Sequence, residues 1–97
     1  MIDRHREEQK RKNYIVLAEN FYLDGKKEKA IQFYKKALEF NSNKEEDINI
    51  LFNIAIIYDE LEMNSASIKI YERIIEIDED NPGAYYGIAI IEERLGN

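Results

Sequence analysis

Cysteine is missing altogether from these 97 residues, and histidine occurs once. Without cysteine there is no disulfide framework, no thiolate metal site and no cysteine nucleophile; this agrees with a reducing compartment, and the expected location is cytoplasmic. No apolar run approaches the roughly 18 residues that a membrane span needs. The opening stretch MIDRHREEQKRKN is polar throughout, so neither a membrane segment nor a secretory leader is expected. The four glycines, at 25, 83, 87 and 96, are too scattered to cradle a phosphate. His5 sits in the polar stretch DRHREEQ with no nucleophile or fixed partner nearby, which argues against a catalytic role. Asp78, Glu79 and Asp80 do not make a calcium loop, because the ligand expected eleven residues after Asp78 falls on Ala89. The chain is therefore expected to have no catalytic activity, no metal and no cofactor.

What is present is apolar and charged in nearly equal measure. Hydrophobic residues make up 44% and charged ones 35%, enough of the first to form a core and enough of the second to keep helix surfaces wet. A chain of this length fits one small domain of marginal stability. The net charge of −6 conceals a division. Residues 1–38 carry ten Lys and Arg against six Asp and Glu, hence +4, whereas residues 39–97 carry four against fourteen, hence −10. A nucleic-acid adaptor would have to use the basic half, through Arg4, Arg6, Lys10, Arg11, Lys12 and the lysines at 26, 27, 29, 35 and 36. Solvated helix faces explain the same residues more simply.

Apolar residues recur at i, i+3, i+4 and i+7 along most of the chain. The stripes are Tyr14, Leu17, Ala18 and Phe21; Ala30, Phe33, Tyr34, Ala37 and Leu38; Leu51, Ile54, Ala55, Tyr58 and Leu61; Ile70, Tyr71, Ile74 and Ile77; and Tyr85, Ile88 and Ala89. Five helices follow. Turns are expected at Asp24-Gly25, at NSNKEED (41–47), at Asn64-Ser65 and at DEDNP (78–82). The fourth helix is expected over 66–78. Glu45, Glu46 and Asp47 precede a helix beginning near Ile48, where the helix dipole favours negative charge. Asn81-Pro82 reads as a helix start, with Asn as cap and Pro at the first helical position, and Leu95-Gly96-Asn97 reads as its end.

The helices also repeat. Ala18, Phe21, Ala30 and Tyr34 return 37 residues later as Ala55, Tyr58, Ser67 and Tyr71, and Leu51, Ile54 and Ala55 return 34 residues later as Tyr85, Ile88 and Ala89. The unit is a pair of helices 34 residues long, lengthened once by the NSNKEED turn. Small residues at 18, 30 and 55 mark where two helix axes come close.

This pattern resembles the tetratricopeptide repeat, an array of antiparallel helix pairs. The first-helix signature of that family is matched by Tyr14, Leu17-Ala18 and Phe21 and by Leu51, Ile54-Ala55 and Tyr58; the second by Ala30, Tyr34 and Ala37 and by Ser67 and Tyr71. The chain departs from the pattern at Ile74 where Ala is usual, at Ser42 and Glu79 where Pro is usual, and at Glu92 where an aromatic is usual. The resemblance implies an all-α, right-handed α-solenoid of about two and a half units. A polar extension would cover 1–13 and the repeat domain 14–97, with units 14–44 and 48–81 and a partial third unit over 82–97. The last helix would lack its own partner, which implies either a segment of a longer array or a second copy covering the open end.

The resemblance also implies where a partner binds. First helices of successive units line a groove that takes an extended peptide or a helix. Here its lining is expected to be Ile15, Glu19 and Tyr22; Asn49, Phe52, Asn53, Ile56 and Asp59; and Tyr86, Ile90 and Glu93. Phe52, Tyr86 and Ile90 are the apolar anchors. Relatives that clamp the carboxylate tail of chaperones carry Lys, Asn and Arg where this chain has Ile15, Glu19, Asn53, Gly83 and Gly87; only Asn53 agrees. With Glu19 and Glu93 repelling an anion, the expected partner is instead a protein or peptide with apolar anchors and basic flanks. Self-assembly through the open last helix is the alternative.

Overall fold

The computed structural model describes residues 4–40 and 43–96, and among them only helices and turns occur. The helices are α1 (Arg4–Leu23), α2 (Lys27–Leu38), α3 (Lys44–Glu60), α4 (Asn64–Ile77) and α5 (Pro82–Arg94). These are the five helices that the apolar periodicity predicts. Residues 1–3, Asn41 and Ser42 of the expected turn, and Asn97 at the expected helix end lie outside the described residues. Two compact units divide the chain, Met1–Asp47 and Ile48–Asn97, with α3 running through the boundary.

In the first unit α2 folds back on α1. The turn between them is set by the backbone: Lys26 N–H donates to Phe21 O at 2.8 Å and Gly25 N–H to Tyr22 O at 3.0 Å, with Gly25 at φ 79°. That pair of bonds is a Schellman closure, and its left-handed residue is the place where glycine costs least. Ala18, Ala30, Ile31, Tyr34 and Ala37 form the buried centre of the unit. Along one side four rings stand in a row, with centroids of Phe40 and Tyr14 5.8 Å apart, Tyr14 and Phe33 6.0 Å, and Phe33 and Phe21 5.3 Å.

The second unit repeats the design with a non-glycine residue at the left-handed position of the turn. Met63 N–H donates to Tyr58 O and Glu62 N–H to Asp59 O, both at 2.9 Å, and the left-handed position falls on Glu62 at φ 60°. The turn expected at Asn64-Ser65 therefore lies three residues earlier, and Asn64 already begins α4. Polar side chains at 64 and 65 mimic a turn signal, but the closure is made by backbone bonds that composition does not encode. α3 likewise starts at Lys44 rather than near Ile48, because Asn43 Oδ1 accepts Glu46 N–H at 2.8 Å and caps it. Glu45, Glu46 and Asp47 lie inside the first turn, where their charge still favours the helix.

The centre of the second unit holds Leu51, Ile54, Ala55, Ser67, Ile74 and Ala84 at zero exposure and Ile91 at 1%. Asn81 caps α5 as the sequence predicts: its Oδ1 accepts Ala84 N–H at 3.0 Å, and Pro82 follows at the first helical position. The face that α5 buries differs from the expected one. Tyr85 is 52% exposed and Ala89 is exposed, while Ala84 and Ile91 are buried. α5 packs on α4, and that neighbour takes the side bearing Ala84 and Ile91, whose equivalents on α3, Ile50 and Ile57, are also buried. Leu17, expected in the α1 stripe, is 41% exposed as well.

A candidate protein-binding face on the second unit

α5 is brought against its neighbours by two glycines. A Cβ on Gly83 would lie 2.9 Å from Cζ of Phe52 on α3, and one on Gly87 would lie within 2.7 Å of the ring carbons Cε1 and Cε2 of Tyr71 on α4. The missing methyl groups let the helix sit directly on aromatic faces. Phe52 and Tyr71 meet edge to face, centroids 6.0 Å apart, so the two rings form one floor. At the other end of α5, Arg94 Nη2 donates to Asp59 Oδ1 of α3 and, at 3.2 Å, to Asn64 Oδ1 of α4.

These contacts fix direction. Phe52 touches Gly83 near the start of α5 and Asp59 meets Arg94 at its end, so α3 and α5 run parallel. Ile56, midway between Phe52 and Asp59, is thereby placed across from the middle of α5. Ile56 is 45% exposed, Tyr86 69% and Ile90 40%, with Asn49, Asn53 and Glu93 also exposed. Phe52 and Asp59 are half-buried, Phe52 as part of the floor and Asp59 in the ion pair with Arg94. In the first unit Glu19 is exposed while Ile15 and Tyr22 are half-buried.

One tyrosine in each unit stands beside these positions. Burial, then the Asp59 carboxylate, pushes the Tyr71 hydroxyl above its ordinary value of 10.0. Burial, then Glu19 and Tyr22, does the same to Tyr34. Both phenols are thus held in the neutral form.

Four of the ten basic residues considered for nucleic acid make contacts within the fold. Arg11 is 4% exposed and ion-paired with Glu46 at 3.1 Å, so it belongs to the interior and not to a basic surface. Lys26 and Lys29 stand over the Phe21 ring at 5.9 and 5.3 Å, and Lys36 over Tyr14 at 5.9 Å. Among the described residues no group of three or more His, Cys, Asp or Glu could hold a metal, and no helix is long and apolar enough to cross a membrane.

No curated protein matches the chain in a sequence comparison. The family model of the tetratricopeptide repeat matches it twice, over residues 12–44 and 48–81. Repeats of this kind build a helical solenoid, here of about 2.5 units, and are in general modules that bind proteins or peptides without catalysing a reaction. With two matches covering most of its length, the chain belongs to the tetratricopeptide repeat family.

Proposed function

We propose that the face shared by α3 and α5 holds a peptide or short helix that has apolar anchors and basic flanks. The observation that carries this reading is the exposure of Ile56, Tyr86 and Ile90 on two helices pinned side by side. Apolar side chains gathered on an otherwise polar surface mark a contact site. Glu93 borders them, and the second unit is strongly acidic, with Lys69, Arg73 and Arg94 against ten carboxylates in residues 48–97. Basic flanks on the ligand would be steered to that surface. Where relatives clamp a carboxylate tail, α5 offers Gly83 and Gly87, which have no side chain to donate.

Fluorescence anisotropy with two labelled peptides tests the reading: an amphipathic helix flanked by lysines, and an acidic C-terminal pentapeptide. The lysine-flanked peptide should bind and lose affinity on Tyr86→Ala. Micromolar binding of the acidic pentapeptide, or binding that ignores Tyr86, would reject it.

A further inference from the structure

Inside the second unit the repeat shows what an α5-type face is shaped to receive. On α3, Leu51 and Ala55 are wholly buried, and α4 crosses at Ala55, where the Ser67 hydroxyl donates to its carbonyl oxygen at 2.7 Å. Thirty-four residues on, α5 carries Tyr85 and Ala89 at the same places, both exposed, and Glu92 where α3 has Tyr58. The buried residues of α4 are spaced as Ser67, Ile70, Tyr71 and Ile74, and of these Ser67 and Tyr71 touch α3 at Ala55 and Phe52. α1 presents exposed side chains at that same spacing: Asn13, Val16, Leu17 and Asn20, with Val16 at 53% and Leu17 at 41%.

We propose that the outer face of α5 binds the outer face of α1 from a second copy of this chain, crossing it as α4 crosses α3. Setting Asn13 at Ala89, as Ser67 is set at Ala55, fixes the rest of an antiparallel pairing. Leu17 then meets Tyr85, and Lys10 meets Glu92. The unusual acid at position 92 thereby acquires a cation where α3 carries a tyrosine. Charge supports this occupant, since residues 1–38 carry +4 and residues 39–97 carry −10. The C-terminal end of α5, negative by its dipole and by Glu92 and Glu93, would lie beside the basic start of α1. The two faces differ, so the contact is head-to-tail, and each bound copy still presents an α5 of its own. This surface is distinct from the Ile56, Tyr86 and Ile90 face.

Sedimentation equilibrium of the 97-residue chain at rising concentration tests the pairing. The mean mass should climb with concentration and pass that of two chains. Lys10→Glu alone and Glu92→Lys alone should each weaken association by about tenfold or more. An equimolar mixture of the two variants should restore it, because each then meets its opposite charge in the other; a folding defect would not be rescued in this way. A monomer at every concentration would overturn the proposal. So would a mass that stops at two chains and responds to Glu92→Lys but not to Lys10→Glu, which is the signature of α5 pairing with itself.

Discussion

The hydroxyl of Ser67 donates to the carbonyl oxygen of Ala55 at 2.7 Å, and neither residue has any exposed surface. α3 and α4 therefore approach so closely that only small side chains fit between them. Ala55→Leu should destabilise the fold by about 1–3 kcal/mol through overpacking. Ser67→Ala keeps the volume and loses one hydrogen bond, so its cost should be about 0.5–1.5 kcal/mol. Urea unfolding midpoints order the two, and equal midpoints for Ala55→Leu and the parent would contradict the crossing.

Gly87 poses a test of opposite expectation. In an exposed helix, Gly→Ala stabilises by about 1 kcal/mol. Here a Cβ would press into the ring of Tyr71, which is itself 7% exposed and has little room to move. Gly87→Ala should instead lower stability by about 1–3 kcal/mol. A raised melting temperature would show that α5 does not sit on that ring.

Glu62 occupies the left-handed position of the α3–α4 turn at φ 60°, where the equivalent turn of the first unit has Gly25. A side chain there costs about 1–2 kcal/mol, which glycine does not incur. Part of that gain is offset by the greater freedom of glycine in the unfolded chain. Glu62→Gly should therefore stabilise by about 0.5–1 kcal/mol, read from the same urea midpoints. A loss would place the strain elsewhere.

Tyr34 and Tyr71 predict an alkaline limit. Both have folded pKa values raised above 10.0, first by burial. Above that pH the unfolded chain releases these protons more readily than the folded one, so stability falls as pH rises. Their contribution is complete below pH 10 and is lost as pH passes through the raised values. Unfolding free energy measured from pH 8 upward should decline less steeply in Tyr71→Phe than in the parent. Identical slopes would refute the linkage.

Much of this architecture is legible in the residues themselves. Asn81-Pro82 announces α5, and the return of Ala18 and Ala30 as Ala55 and Ser67 announces the repeated pair, because caps and close crossings each admit few residue types. Other features depend on partners that periodicity cannot name. Tyr85 and Ala89 read as core by their register, yet α4 takes the side with Ala84 and Ile91. Arg11 reads as surface because it is charged, and is buried because Glu46 meets it. Phe52 reads as an exposed anchor but lies partly under α5, since Gly83 lets the backbone come down on its ring. The Schellman closure at Glu62 escapes notice because glycine, its usual mark, is replaced.

Chemical-shift mapping of the amide spectrum during titration with a lysine-flanked amphipathic peptide tests the binding face most directly. The account predicts that the largest changes fall on Asn53, Ile56, Tyr86, Ile90 and Glu93, and that Tyr86→Ala abolishes them. Changes centred on the lysine-bearing helix α2, or none at millimolar peptide, would contradict it.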